Sequence, residues 1–168
     1  DAHSSVYYVA LNGNDNNPGT FIKPWLTWQK GFDIAIAGDT VFIRGGIYYT
    51  SGTIHGGQCI GVFLTGKNGK ADSRITIQTY PGERPVLDGS TMVANSGRCG
   101  IYLSDCSYLT LKGLTVRNVK EYGQFKGCPL AESILLAKCT NIKFEKCVVN
   151  GCGDGFGTSG FCDYIDFL

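Results

Sequence analysis

The chain has 168 residues, of which 43% are hydrophobic and only 17% are charged, and it contains 24 glycines. This composition suits one domain of short strands and many turns and argues against a helical bundle. The net charge of +1 favours neither nucleic acid nor an anionic membrane as a partner, and no apolar run approaches the roughly 20 residues of a membrane-spanning helix.

The predicted elements begin with a strand, a turn-rich loop and one helix. Val6–Val9 is the strand, and the segment 12–20, rich in Asn, Gly and Pro, is the loop. Thr27 can cap a helix that covers residues 28–37 and ends at Gly38. Its apolar side chains fall on one face: Trp28, Phe32, Ala35 and Ile36. We therefore predict an amphipathic cap helix across the N-terminal end of a repeat fold.

Three segments in the second half of the chain share one pattern: Cys, polar, any residue, aliphatic, any residue, apolar. They start at Cys106, Cys139 and Cys162, and two earlier segments, 41–43 and 75–77, share only the strand part. The aliphatic markers at positions 41, 75, 109, 142 and 165 are separated by 34, 34, 33 and 23 residues. The shortest step indicates one bare coil of a stacked repeat, and the longer steps indicate a coil plus a loop.

Alternation along these strands predicts which side chains face the core. The inward set comprises Leu109, Leu111, Ile142, Phe144, Ile165 and Phe167. The outward positions then stack in two columns, Thr110–Lys143–Asp166 and Lys112–Glu145. Opposite charges meet on neighbouring coils in both columns, which in-register pairing favours.

Together these features predict the architecture. Short second strands at 114–116 and 147–149 follow a tight bend, and the polar segments 66–70 and 123–127 fit loops. Each coil buries only one side of its strands, so it needs neighbours above and below. We predict an all-β right-handed parallel β-helix that forms one domain over residues 1–168. Residues 1–40 are its N-terminal strand, loop and cap helix, and residues 41–168 are its successive coils.

The eight cysteines are Cys59, Cys99, Cys106, Cys128, Cys139, Cys147, Cys152 and Cys162. None forms a CxxC pair and the chain has two histidines, so a structural zinc site is not supported. Their number predicts disulfides and a secreted, extracellular location. Cys106, Cys139 and Cys162 should lie about 5 Å apart on consecutive coils, a separation that a disulfide allows. The preferred pair is Cys106–Cys139, and the alternative is a stack of buried free thiols.

A set of short segments carries a family resemblance. They are Tyr7-Tyr8-Val9, Gly13-Asn14-Asp15, Pro18-Gly19-Thr20, Lys23-Pro24, Ala37-Gly38-Asp39-Thr40-Val41, Arg44-Gly45-Gly46-Ile47-Tyr48, Ile75-Thr76-Ile77, Pro85-Val86-Leu87-Asp88-Gly89 and Gly113-Leu114-Thr115-Val116. Together they resemble family 9 pectate lyases and related β-helix proteins over most of the chain. The same opening also precedes β-helices with other activities, so the resemblance bears on the fold more than on function.

The resemblance implies an extracellular enzyme that cleaves uronic-acid polysaccharides by β-elimination. In such enzymes Ca²⁺ neutralises the substrate carboxylate, and a Lys or Arg removes the proton from C5. The calcium-binding aspartates and the base of that family lie on later coils, and no residue of this chain matches them. We therefore assign no catalytic, cofactor-binding or metal residue within the chain, and we expect Ca²⁺ only in a full-length lyase.

One late group of acidic residues is a candidate calcium site. Asp154, Asp163 and Asp166 are the candidates, because Ca²⁺ prefers several converging carboxylates. Asp154 lies in a glycine-rich turn, however, and Lys143 is the expected partner of Asp166 on the neighbouring coil. His3 and His55 stand far apart, with no nucleophile motif beside either.

Residues 164–168 are predicted to form the first strand of a coil, and no capping segment follows them. We therefore expect the β-helix to be open at this end and covered by further coils, another domain or another copy. Three hypotheses follow: the N-terminal portion of a lyase acting on an acidic polysaccharide, an extracellular structural protein stacking head to tail into filaments, or a carbohydrate-binding module. The third would use exposed rings among Tyr48, Tyr49, Tyr122 and Phe125.

Overall fold

The structure is a computed structural model and describes residues 4–92, 97–120 and 131–168. Its elements in chain order are β1 (Val6–Val9), α1 (Trp28–Ile34), β2 (Thr40–Ile43), β3 (Gly46–Tyr49), β4 (Thr53–His55), β5 (Gln58–Thr65), β6 (Ile75–Thr79), β7 (Pro85–Asp88), β8 (Gly97–Ser104), β9 (Ser107–Lys112), β10 (Thr115–Arg117), β11 (Glu132–Ala137), β12 (Thr140–Glu145), β13 (Val148–Asn150), β14 (Asp154–Ser159) and β15 (Asp163–Phe167).

The strands form three sheets, which we call A, B and C. Sheet A has the order β1-β2-β6-β9-β12-β15, sheet B has β3-β7-β10-β13, and sheet C has β4-β5-β8-β11-β14. Among the strands of the described residues, all pairings are parallel except the β4–β5 hairpin. The chain visits A, B and C in turn four times, through β2-β3-β5, β6-β7-β8, β9-β10-β11 and β12-β13-β14. This path is the predicted parallel β-helix.

The predicted register holds for the last three coils. Leu109 pairs with Ile142, and Ile142 pairs with Ile165. The first coil differs, because Val41 pairs with Ile77 and not with Ile75. The alignment of 41 with 75 is therefore wrong by two residues. A slip of two keeps the same side chains facing inward, so the alternation on which the alignment rested cannot detect it.

The core lies inside the coils. Four of the six predicted inward side chains are at most 2% exposed: Leu109, Leu111, Ile142 and Phe144. The other two lie on β15, where Ile165 is half-buried and Phe167 is 55% exposed. Within the described residues β15 pairs with β12 alone, so its side chains have a neighbouring coil on one side only.

Each coil turns at fixed positions through residues with positive φ. The bend after each long strand of sheet C uses Gly66, Asp105, Lys138 and Gly160, with φ between 51° and 67°. The bend from sheet A to sheet B uses Gly113 and Lys146. Three non-glycine residues with φ of 53° to 56° also occupy one column of sheet A: Tyr108, Asn141 and Tyr164. The same backbone shape thus recurs coil after coil although the residue changes.

The cap helix α1 is shorter than predicted. Thr27 is its N-cap, as expected, and accepts a hydrogen bond from the Lys30 N–H at 3.2 Å. The helix ends at Ile34, so Ile36 lies beyond it and is 61% exposed, which contradicts its predicted place on the inner face. Trp28, Phe32 and Ala35 are buried. No helix in the three described ranges has the length and apolarity needed to cross a membrane.

Gln29 joins the cap helix to the edge of sheet C. Its side-chain amide donates to the Phe63 carbonyl at 2.7 Å and accepts from the Phe63 N–H at 2.9 Å. Phe63 lies on β5 past the part that pairs with β4, so this amide takes the place of a neighbouring strand. Lys67 adds a second link, because its ammonium donates to the carbonyls of Asp33 and Ala35 at the end of the helix.

Asp88 organises the bend at the end of β7. Asp88 is 1% exposed, and its carboxylate accepts hydrogen bonds from Arg117 Nε at 2.6 Å, Asn118 Nδ2 at 2.9 Å and Ser90 N at 2.9 Å. Burial alone would raise the pKa of Asp88, but hydrogen bonds from Ser90, Arg117 and Asn118 outweigh it and lower that pKa to about 2. The network therefore ties two adjacent coils together.

We expect Gln29→Ala to lower the free energy of unfolding by about 1–2 kcal/mol, because it removes both hydrogen bonds to the Phe63 backbone. Alanine is the better helix former, so helix propensity cannot account for a loss. Gln29→Glu retains an acceptor but places a carboxylate against the Phe63 carbonyl, and it should be at least as unstable at neutral pH. Urea unfolding measures both variants, and unchanged midpoints would show that the amide does not hold the cap.

A second prediction concerns acid stability. Because the pKa of Asp88 is lower in the folded state than its ordinary value, its contribution is complete above about pH 4 and is lost as the pH falls toward about 2. One pKa unit corresponds to about 1.4 kcal/mol, so the contribution is about 2 kcal/mol. Asp88→Asn should lower the free energy of unfolding at neutral pH and flatten its decline in acid, as followed by urea titrations. The exposed Asp72→Asn is the control and should keep the wild-type profile.

Candidate functional site

The outer face of sheet A changes character along the helix axis. The register stacks five outward side chains in one column, in the order Tyr8, Phe42, Gln78, Lys112 and Glu145. The N-terminal end of this face is therefore aromatic and its later part is charged. Neighbouring strands lie about 4.8 Å apart, so the column forms one continuous surface.

We define the aromatic patch as Tyr8, Phe21, Phe42 and Tyr80 together with the guanidinium of Arg44. Tyr8 and Phe42 stack across neighbouring strands with ring centroids 5.7 Å apart, and Phe21 meets Tyr8 edge-on at 5.3 Å. The centroid of Tyr80 lies 5.7 Å from Phe42 and 6.1 Å from Phe21. These separations are typical of favourable aromatic pairs, so the rings hold one another in place.

Arg44 lies between two rings of the aromatic patch. Its guanidinium carbon is 5.2 Å from the Phe21 centroid and 4.6 Å from the Tyr80 centroid. The guanidinium donates to both oxygens of Glu83 at 2.7 to 3.0 Å, and the Gly45 N–H donates to the same carboxylate. The hydrogen bonds from Arg44 are the main reason that the pKa of Glu83 lies below its ordinary value. Both side chains are partly exposed, so the pair orients Arg44 more than it stabilises the fold.

Two pairs of opposite charge were predicted on the outer face of sheet A, and the structure forms an ion pair in one of them. Lys112 Nζ and Glu145 Oε2 form an ion pair at 2.8 Å, as predicted. Lys143 and Asp166 occupy paired register positions, but the ion pairs of the described residues do not include one between them. The predicted register of Lys143 with Asp166 is therefore confirmed, but the predicted contact between their opposite charges is not made.

Arg74 contacts Thr110, the remaining residue of the column Thr110–Lys143–Asp166. Its Nε donates to Thr110 Oγ1 at 2.9 Å, and its guanidinium also donates to the carbonyls of Leu109 and Asn141 on successive coils. The same guanidinium lies 5.8 Å from the ring centroid of Tyr108. Burial lowers the pKa of Arg74 below its ordinary value. Arg74 is thus engaged in joining coils.

The acidic residues considered for calcium do not converge. Asp154 lies on β14 in sheet C, whereas Asp163 and Asp166 lie on β15 in sheet A. Across residues 4–92, 97–120 and 131–168, no group of three or more His, Cys, Asp or Glu side chains is placed to hold a metal ion. The residues that the structure describes therefore do not fit a Ca²⁺ site.

The predicted cysteine column is present. Cys106 and Cys139 are at most 1% exposed and occupy equivalent positions directly before β9 and β12, with Cys162 one coil further on. The Cys106 thiol donates to the carbonyls of Leu64 and Ser104, and the Cys139 thiol donates to those of Leu103 and Ala137. Seven cysteines are free thiols in the structure: Cys59, Cys99, Cys106, Cys139, Cys147, Cys152 and Cys162. Cys128 lies outside the described residues.

The aromatic residues predicted as candidates for sugar stacking differ in their exposure. Tyr48 is 6% exposed and its hydroxyl donates to the Arg44 carbonyl at 2.9 Å, so it cannot stack on a sugar. Tyr49 is 64% exposed on sheet B, and Tyr122 and Phe125 lie outside the described residues. His55 stacks on the ring of Phe63 at 4.4 Å, and His3 lies outside the described residues.

The aromatic patch escaped prediction because its rings come from four separate segments. Tyr8 and Phe42 occupy outward positions of predicted strands, which alternation indicates. Phe21 lies in a loop and Tyr80 follows β6, where no periodicity applies. Two aromatic residues at equivalent outward positions of successive strands were the one available signal.

The chain is similar to known proteins over most of its length. The model of the Pel9A-like right-handed β-helix region matches residues 7–161. Pectate lyase L of Paenibacillus polymyxa (strain SC2) is 35% identical over 120 residues, which are 71% of this chain and 25% of that protein. The chain thus spans about a quarter of that relative's length.

Two solved structures extend the comparison. A rhamnogalacturonan lyase superposes with a TM-score of 0.75 and 29% identity, over 86% of this chain and 36% of that one. Pectate lyase Pel9A superposes with a TM-score of 0.57 and 20% identity, over 83% of this chain and 33% of that one, which shows a common fold. Because the family model extends over nearly the whole sequence, the chain belongs to the Pel9A-like right-handed β-helix family.

Proposed function

We propose that this chain is the N-terminal portion of a secreted polysaccharide lyase that cleaves an acidic, uronic-acid-containing polysaccharide. The observation that carries the proposal is the likeness to a rhamnogalacturonan lyase, at 29% identity over 86% of the chain. The similarity to pectate lyase L supports the same class of reaction. Since the chain corresponds to 36% of the former and 25% of the latter, we place the catalytic coils beyond it.

The proposed reaction is a β-elimination. A base removes the proton at C5 of the uronate, the bond from C4 to the glycosidic oxygen breaks, and a C4–C5 double bond forms. The released glycosidic oxygen takes up a proton and becomes a hydroxyl of the departing sugar. The described residues fit no calcium site, so no step is assigned to a metal held by them. Their contribution is to stack the coils in register, which fixes the position of every later coil.

We expect the full-length protein to cut polygalacturonate or rhamnogalacturonan and to leave unsaturated uronate ends, followed by their ultraviolet absorbance. The matched control is the same polymer with its carboxylates reduced to alcohols. It should resist cleavage, because its C5 proton is no longer acidic. Saturated reducing ends would indicate hydrolysis and would exclude a lyase. Chelation with EDTA, followed by return of Ca²⁺, tests the calcium requirement expected from the family resemblance.

We also propose that Cys106 and Cys139 form a disulfide in the secreted protein, with oxygen or a protein disulfide as the oxidant. The support is geometric: the two residues occupy equivalent positions on adjacent coils, and both are buried. Paired strands bring such residues within the Cα separation that disulfides allow. Oxidation joins the two sulfur atoms and transfers two protons and two electrons to the oxidant.

Peptide mapping of the non-reduced protein should recover Cys106 linked to Cys139. Reduction, or Cys106→Ser, should lower the free energy of unfolding by about 2–4 kcal/mol, because the link closes a long loop in the unfolded chain. Cys147→Ser is the control, since the residue beside Cys147 on the preceding coil is Leu114, and it should not change the map. Recovery of Cys139 linked to Cys162 would contradict the proposed pairing.

A further inference from the structure

We infer that the aromatic patch is a sugar-stacking subsite that binds an acidic polysaccharide away from the point of cleavage. The inference rests on the proposed function, because it takes the polymer to be the substrate. It adds a binding site in the part of the chain for which no catalytic residue is assigned. The site consists of Tyr8, Phe21, Phe42, Tyr80 and Arg44.

The first argument is exposure. Phe21 is 51% exposed and the adjacent Ile22 is 87% exposed, while Tyr8, Phe42 and Tyr80 are only partly buried. Four rings gathered on the outer side of a sheet are not needed to fill the core, which lies on the other side of the same strands. Contiguous exposed apolar surface on a folded protein marks a place where something binds.

The second argument is the chemistry of the rim. A pyranose ring has an apolar face of C–H groups that stacks on aromatic rings and hydroxyls that need hydrogen-bonding partners. A cleft of about 350 Å³ opens beside the patch and is lined by Asn12, Arg44 and Glu83 among others. The polar groups of this cleft can form hydrogen bonds with sugar hydroxyls, and the neighbouring aromatic rings can stack on the apolar face of the sugar.

The third argument is charge. Arg44 lies within the patch, Lys23 follows Phe21 and Ile22 in the chain, and Arg84 follows Glu83. Both Lys23 and Arg84 are exposed. The segments 21–23, 42–44 and 80–84, which supply Phe21, Phe42, Arg44 and Tyr80, contain these three cations and the one carboxylate of Glu83, so their net charge is positive although the whole chain carries only +1. A positive region with stacking rings suits a uronate polymer better than a neutral glycan.

The fourth argument is continuity. Tyr8 and Phe42 lie on β1 and β2, Tyr80 directly follows β6, and the same outer face continues over β9, β12 and β15 toward the coils where we place the catalytic residues. The strands β9, β12 and β15 each add one strand spacing, so the proposed catalytic coils lie at least roughly 15 Å from β6. A polymer that follows the helix axis can contact both places, whereas a short oligosaccharide cannot. The patch should therefore contribute to affinity for long chains.

The simplest competing interpretation is structural, in that the rings attach the loop containing Phe21 to the sheet. Phe21→Leu separates the two roles, because leucine keeps an apolar side chain but removes the ring. Phe21→Tyr restores a ring at the same position and should rescue binding. Tyr49→Leu is the matched control, since it removes a similarly exposed ring from sheet B.

The experiment measures the affinity of the full-length protein for polygalacturonate, for the carboxyl-reduced polymer and for trigalacturonate, by titration calorimetry in EDTA. We expect Phe21→Leu and Tyr80→Leu each to weaken polymer binding roughly 3- to 10-fold, the effect of one stacking ring. Tyr49→Leu should match the wild type, and Phe21→Tyr should recover most of the loss. The loss should be larger for the polymer than for the trimer.

Equal polymer affinity in wild type and Phe21→Leu would overturn the subsite, and it would leave the proposed lyase intact if cleavage continues. Polymer binding that depends on Phe21 in a protein without elimination activity would support the subsite and remove the lyase. A parallel fall in polymer affinity and unfolding midpoint that Phe21→Tyr does not correct would assign the ring a structural role and reject the inference. Binding of the carboxyl-reduced polymer as strong as that of polygalacturonate would refute the acidic specificity.

Discussion

The structure depends on in-register stacking of parallel strands. Each coil buries one side of its strands, and its core side chains gain their contacts from the coils above and below. Leu109 therefore lies beside Ile142, and Ile142 beside Ile165, as one continuous row. The same constraint governs the outside, where it places Tyr8 next to Phe42. Columns of like or complementary residues follow directly from the pairing.

Stacking also requires every coil to turn at the same place. The bend after sheet C has positive φ at Gly66, Asp105, Lys138 and Gly160. Left-handed backbone costs most non-glycine residues roughly 1–2 kcal/mol, so Lys138 adopts it against its own preference, whereas Asp105 is a residue type that tolerates it. The strands on either side of the bend are fixed by hydrogen bonds to their neighbours, and this fixes the bend. Position within the coil thus outweighs the preference of the individual residue.

This order of priorities explains how much the sequence could predict. The cysteine-led repeat located the last three coils correctly, because those strands contain no insertions and alternate strictly. The pairing of Val41 with Ile77 was missed, since a two-residue slip leaves the alternation unchanged. The end of α1 at Ile34 was missed because helix periodicity continues through Ile36. The aromatic patch, built from four segments, needed the fold before its parts could be placed together.

Different coils along the axis of a solenoid can carry different functions. Because each coil contacts only its neighbours, the early coils can change their outer surface without disturbing later ones, provided the inward columns and bends persist. The first coils must solve the problem of an exposed edge, and here α1 and Gln29 cover it. Arg44 is oriented by Glu83, which stands at the bend leading out of sheet A. A bend that repeats for architectural reasons thus also positions a side chain for recognition, which places a binding surface on coils where no catalytic group is assigned.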